Sequence, residues 1–341
     1  MSSRVAGKDE NDGKKPSQKS SVGRIGRHTL CGVLAGCGAT VEHKQSGTPY
    51  SVGLVQIVQH PALDEAARGI ADGMAQAGLK AGTDYTLESQ NAQGDQSNLD
   101  TIVRHFLFSK KQLIYAVATP AAQAVANATH EIPVVATAVT DFAAAGLVKD
   151  ESRPQTNVTG TSDRTDLKAQ LDLMRKLTPQ VKTLGVIYNA GEVNSELQVK
   201  ALEPAAQALG MTVKKFTVAS VNDIPQTAYQ MTGQVDAVYV PTDNVVASAL
   251  PALIAVTNEK NIPVYGAEIA HVKNGALASV SVDYYKLGLR AGMMGAQILK
   301  GEAKPETMPI ETQTELVPVL NRAQAELLGI TVPTDIGFTE V

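Results

Sequence analysis

The chain has 341 residues, 43% hydrophobic and 19% charged, which is ordinary for a globular protein and long enough for two domains with a sizeable core. A net charge of -4 supplies no basic face for nucleic acid and no electrostatic case for binding a membrane surface. Six scattered His without paired spacing, and no Cys after Cys37, leave the folded part without a disulfide or a Cys-ligated metal.

Residues 1 to 28 carry almost no large apolar side chain, so they cannot offset ordering entropy by burial and read as disordered. Thr29 to Cys37 is a short apolar run behind Arg24 and Arg27, the charge-then-apolar order of an export signal. Its end, Leu34-Ala35-Gly36-Cys37, resembles a bacterial lipobox, which makes Cys37 the lipidated residue and Gly38 to about Thr48 a polar tether. The run is too short for a transmembrane helix.

From Tyr50 onward strands and helices alternate. Ser51 to Val58 is a β-branched strand, and His60-Pro61 opens a helix with Leu63, Ala67, Ile70 and Met74 on one face, ended by Gly78. A strand over Asp84 to Gln90 leads to a polar loop, then a helix capped by Ser97 that buries Leu99, Ile102, Val103 and Phe106. Strands follow at Leu113 to Ala118 and Pro133 to Val139, with a helix from Ala121 to Asn127 between them. Asn157 to Asp163 is a polar strand or crossover, and the first passage between domains is placed there, ahead of a helix over Asp166 to Leu177.

The rhythm then repeats. Leu184 to Tyr188 is too short for a helix, is rich in Val, Ile and Tyr, and reads as a buried parallel strand. A helix to Leu209, strand Thr212 to Val218, helix Ile224 to Met231, strand Ala237 to Val240, helix Val245 to Glu259, and strands Pro263 to Tyr265 and Leu277 to Val282 follow. A helix over Tyr284 to Leu299, a strand over Glu315 to Leu320 and a helix over Arg322 to Leu328 complete the chain and suggest a return between domains. Such alternation implies an α/β protein with parallel sheets in two Rossmann-like domains, because parallel neighbours need a crossover connection.

Polar residues fall directly after strands: Gln59-His60, Asn91, Thr119-Pro120, Thr140-Asp141, Asn189 with Glu192, Asn194 and Ser195, Thr242-Asp243-Asn244, and Glu268. In parallel sheets these ends share one edge, and two such edges facing each other form a ligand cleft. Free N–H groups at the helix starts, with Thr119 and Ser195, suit a carboxylate; Asp141, Glu192, Asp243 and Glu268 suit an ammonium, and an amino acid carries both. Each of these side chains equally suits capping its own helix. Of Tyr284 and Tyr285, which straddle a strand–helix boundary, Tyr284 is assigned to the cleft. No Gly-x-Ser-x-Gly elbow, Walker loop, dinucleotide loop or cysteine nucleophile argues for an enzyme or a bound cofactor.

Gln59-His60-Pro61-Ala62-Leu63-Asp64, Asn91 to Leu99, Ala118-Thr119-Pro120-Ala121-Ala122-Gln123, Thr140-Asp141, Asn157-Val158-Thr159-Gly160, Tyr188-Asn189 with Glu192 to Ser195, and Pro241 to Asn244 resemble the ABC-transporter substrate-binding family that includes tryptophan- and tyrosine-binding lipoproteins. The resemblance spans about Tyr50 to Pro333. It implies a type I periplasmic-binding-protein fold, two domains joined by three crossovers: 50–161 plus 284–312, and 162–283 plus 313–341, behind an export signal and tether over 1–49. It also implies a small-molecule ligand, an amino acid with aromatic ones such as tryptophan or tyrosine among the candidates, with Gln123 added to the site and an ABC permease as partner. The protein is then a monomer outside the cytoplasm, anchored to the cell membrane through lipid. Phe142 stands where the family usually has Pro, and Arg153 to Thr156 replaces a Gly-rich turn; with no Trp in the chain, Phe142 or a Tyr is the expected wall for an aromatic ligand. A ligand sensor of the same fold without a transport role is the first alternative and an enzyme the second, and residues 1 to 49 carry no helix-turn-helix pattern that would make the sensor a repressor.

Overall fold

The computed structural model describes residues 48–341; the expected export signal, Cys37 and the tether lie outside the described residues. The first six-stranded sheet is fed by β1 (Tyr50–Gln56), α1 (Pro61–Gln76), β2 (Tyr85–Asn91), α2 (Gln96–Phe108), β3 (Leu113–Val117), α3 (Thr119–Ala128), β4 (Val134–Val139) and β5 (Val158–Ser162). The second, seven-stranded sheet follows through α4 (Leu167–Leu177), β6 (Thr183–Asn189), α5 (Val193–Ala208), β7 (Thr212–Val218), α6 (Ile224–Thr232), β8 (Ala237–Val240), α7 (Asn244–Ser248), α8 (Leu250–Glu259), β9 (Val264–Gly266), α9 (Ile269–Lys273) and β10 (Ala278–Ser281). The chain ends with α10 (Tyr284–Leu299), β11 (Glu311–Thr312), β12 (Val317–Leu320), α11 (Arg322–Leu327) and β13 (Thr339–Glu340).

The strand orders are β11-β5-β4-β3-β1-β2 and β13-β12-β10-β9-β8-β6-β7. Every pairing is parallel except β10 with β12, which closes the second sheet in the antiparallel sense. Both faces of each sheet are covered, which is why β3, β4 and β8 read as unbroken apolar runs and are buried throughout. The chain crosses between sheets three times: between Ser162 and Leu167, between Ser281 and Tyr284, and between Thr312 and Val317.

The crossings are laced together. Tyr284 O–H donates to Asp163 Oδ2 at 2.8 Å, joining the second crossing to the first. Gln313 donates its Nε2 to the Asp283 carbonyl at 2.7 Å and accepts the Asp283 N–H at 3.1 Å, joining the third to the second.

α10 returns to the first sheet and packs on α1 at backbone contact. A Cβ on Gly288 would lie 1.9 Å from the Ala66 carbonyl oxygen, and one on Gly73 would lie 2.0 Å from that of Leu289. Only hydrogen in place of a side chain allows that approach.

Local chemistry moved several boundaries. Asp95, not Ser97, caps α2, accepting the Asn98 N–H at 2.8 Å. The single helix expected over Val245 to Glu259 is two, because Pro251 cannot donate to the turn before it, and the chain breaks at Ala249. The five-residue α9 was not expected; it is too short to show a helical period.

Candidate functional site

The loop after β6 is built around Asp243. Its Oδ2 accepts the Asn189 N–H at 2.6 Å and the Ser195 hydroxyl at 2.7 Å, while Oδ1 accepts the Val246 N–H at 2.9 Å and so caps α7. Asn194 Nδ2 donates to the Thr242 carbonyl at 2.7 Å. Two strand-end loops thus become one surface, with Glu192 held on it: Oε2 accepts from Asn244 Nδ2 at 2.5 Å and Asn194 Nδ2 at 3.2 Å, and Oε1 accepts the Val245 N–H at 3.2 Å. Burial, and secondarily the nearby Asp243 carboxyl, push the Glu192 carboxyl up to about 8 against the pull of these donors.

The opposing lobe meets this surface directly. Thr140, after β4, lies with its Oγ1 3.0 Å from Thr242 Oγ1, and donates to Asp163 Oδ1 at 3.0 Å. Gln198 Nε2 on α5 also donates to Thr242, and His60 Nε2 lies 3.4 Å from Asn244 Oδ1. Deeper still, Glu268 is 2% exposed and its Oε2 has no hydrogen-bond partner; His271 Nε2 stands 3.6 Å from it, beyond bonding distance. Burial, then the charges of Asp163 and Asp243, raise Glu268 well above the carboxylate range. Burial likewise raises Asp163 and Asp243, and lowers His60 to about 4 and His271 to about 3, so in each of these groups burial disfavours the charged form.

The sum is four buried carboxyl groups, Asp163, Glu192, Asp243 and Glu268, and no ammonium or guanidinium among them. Among the described residues the buried set holds one Lys or Arg, Lys111, which pairs with Glu88 at 2.7 Å ahead of β3.

A cavity of about 290 Å³ lies between the lobes, and of the four carboxyl groups that of Glu192 belongs to a lining residue. Of the residues expected at the cleft, Pro120, Asn189, Glu192 and Asn244 line it; His60, Thr119, Asn194, Ser195, Thr242, Asp243 and Glu268 are buried at strand ends; Thr140 lines another cavity with Arg164 and Gln198, and Tyr284 one with Pro61 and Arg68. Four sit elsewhere. Gln59 is exposed and reaches Asp64 at 3.4 Å; Asn91 folds back on the Gln93 N–H at 2.7 Å; Gln123 donates to the Ala145 carbonyl at 3.0 Å; and Asp141 is half-exposed and paired with Arg164 at 3.1 Å.

Phe142 is fully buried in the first lobe's core, and no aromatic ring lines the cavity among the described residues; its walls are Ile57, Val58, Val245 and Val221. The expected aromatic wall is therefore aliphatic. Asp163, Gln198 and His271 were not singled out from the sequence. Asp163 had a signal, a carboxylate ending a polar strand at a domain crossing; Gln198 and His271 sit within helical patterns that offer none.

Two α/β lobes on three laced connectors, closing polar strand ends over a cavity, define a ligand-binding protein of the periplasmic-binding type I fold. The chain belongs to the ABC transporter substrate binding protein family, whose model matches residues 51–339. It is 38% identical over 304 residues to the tyrosine-binding protein of Clostridioides difficile strain R20291, covering 89% of this chain and 88% of that one. The crystal structure of an ABC domain in complex with L-Trp from Streptococcus pneumonia superposes with a TM-score of 0.83 at 39% identity, covering 86% of this chain and all of the other. The ligand-free, open structure of a substrate binding protein with adhesive properties from Clostridium difficile, also 39% identical over 86% of this chain and 99% of its own, gives 0.65. At equal identity the lobes are thus disposed as in the tryptophan complex, in keeping with the Thr140–Thr242 contact.

Proposed function

We propose that this protein is the substrate-binding lipoprotein of an ABC importer, which captures an amino acid between its lobes and delivers it to a permease. Aromatic amino acids such as tryptophan and tyrosine are the first candidates, and the tether is lipid on Cys37. The moving bodies are 50–161 plus 284–312, and 162–283 plus 313–341. The observation that carries the reading is the patch of four buried carboxyl groups without a buried cation. Burying carboxyl groups is costly unless they are neutralised or paired, and a ligand ammonium supplies the missing charge with hydrogen bonds to match. The tyrosine- and tryptophan-binding relatives support the ligand class. Glu192, which lines the cavity and is already oriented by four donors, is the seat for the amino group.

Closure would then work by population shift. The ligand binds one lobe of an open form, and the second lobe adds contacts and excludes water, so the closed form is favoured by the difference in affinity. The test is a thermal-shift screen of the purified chain against the twenty amino acids, sugars and nucleosides, with indole-3-propionate as the amine-free partner of tryptophan. A ligand at one hundred times its Kd stabilises by about 2.7 kcal/mol. Shifts with aromatic or branched amino acids and none with indole-3-propionate are expected; a shift with a sugar or nucleoside alone overturns the amino-acid reading.

A further inference from the structure

The cavity's lining runs from buried to exposed. Ile57, Glu192 and Asn244 are buried; Val58 from one lobe and Val245 from the other are half-buried; the exposed part carries Val221, 42% exposed, together with Gln93, Gln96 and Gly191. Val221 does not hang on a loose loop. It opens a 3-10 turn, Val221–Asp223, in which Asp223 Oδ2 accepts the Ala219 N–H at 3.0 Å, the Ser220 N–H at 2.9 Å and the Ser220 hydroxyl at 3.2 Å. An apolar side chain fixed at the mouth of a cleft gains by covering apolar ligand surface, since the gain scales with the area taken from water.

We propose that Val221 is a specificity residue: it covers the side chain of an amino acid whose amino group sits at Glu192, and it selects large apolar side chains over small or charged ones. The proposal rests on the amino-acid reading above. The burial of Glu192 and the exposure of Val221 give the ligand its proposed direction, with the amino group inward at the buried carboxyl and the side chain outward past Val58 and Val245 toward Val221. Aliphatic walls press on a ring or a branched chain by shape and lack the orientational preference of stacked rings, so the ligand class includes leucine-like as well as aromatic side chains.

The test is calorimetric titration of the full chain, and of Val221→Ala and Val221→Asp, with tryptophan, tyrosine, leucine and glycine. Val221 is exposed on a turn, so both variants keep the ligand-free melting temperature. Val221→Ala raises Kd about threefold and Val221→Asp at least tenfold for the three large ligands, while whatever affinity glycine has is unmoved. Equal affinities in wild type and Val221→Asp overturn the proposal and leave the amino-acid reading standing. A wild type that binds none of the four overturns that reading, and the proposal with it.

Discussion

Thr140 and Thr242, on loops from opposite lobes, lie with their hydroxyl oxygens 3.0 Å apart, and Thr140 passes its own hydrogen to Asp163 at 3.0 Å. The contact exists only when the lobes are together, so its free energy belongs to the closed state. Thr242→Val keeps the shape and removes the bond, together with the acceptor used by Gln198. At about 1 kcal/mol for such a bond, ligand affinity falls about fivefold. The radius of gyration of the ligand-free protein, read by solution scattering, grows. An unchanged radius and Kd would show that the pair is incidental to closure.

Glu192 makes the ligand-free fold sensitive to alkali. Its carboxyl is raised from 4.5 to about 8, chiefly by burial, so the native state holds a proton that the unfolded chain gives up earlier. Its stabilising effect is complete below pH 4.5 and is lost as pH rises toward 8. Melting temperature should therefore decline across that window in wild type, and decline less in Glu192→Gln.

Ligand affinity runs the other way. An ammonium binds the ionised carboxylate, so capture displaces the Glu192 proton and the affinity for an amino acid climbs as pH approaches 8. Glu192→Gln raises Kd by about thirtyfold or more and flattens this climb. Titrations in buffers of different ionisation heats count the released proton, and a count of zero in wild type rules out Glu192 as the seat.

The glycine contact between α1 and α10 is tested by Gly288→Ala. The added methyl would lie 1.9 Å from the Ala66 carbonyl oxygen, so the helices must part. Overpacking of this kind costs about 1–3 kcal/mol, visible as a lowered denaturation midpoint.

Asp95→Ala, which removes the cap of α2, costs about 1 kcal/mol, whereas Ser97→Ala leaves stability unchanged. Urea unfolding of the two variants separates the assignments, and a larger loss for Ser97→Ala would reverse them.

What was legible in the sequence was whatever local chemistry decides. Thr212 to Val218 and Tyr284 to Leu299 occupy the span that their apolar pattern and flanking Gly or polar residues indicate. The strand-end clusters at Asn189 to Ser195 and Thr242 to Asn244 converge because parallel strands present one edge together. Hidden from view were facts that depend on distance through space. Nothing local distinguishes Gly73 and Gly288, which let two helices touch, from glycines in turns. Asp141 and Glu268 both follow strands, yet one lies half-exposed beside Arg164 and the other is sealed against Asp163 and His271, because only the folded lobes decide which edge residue faces inward. Phe142 follows the same logic: its place after Thr140-Asp141 suggests a cleft wall, but the turn carries it into the core.

The Tyr284–Asp163 and Gln313–Asp283 bonds bind the three connectors side by side. Three separate strings would let one jaw slide, twist or tilt against the other, and a bite would meet in many alignments. Stitched into a single band, they restrict sliding and twisting, so a closure of the kind proposed would bring Thr140 back to Thr242 and Val58 back opposite Val245. A receptor built this way can afford small, shallow contacts at its lips, because the alignment of the lips is set at the band behind them.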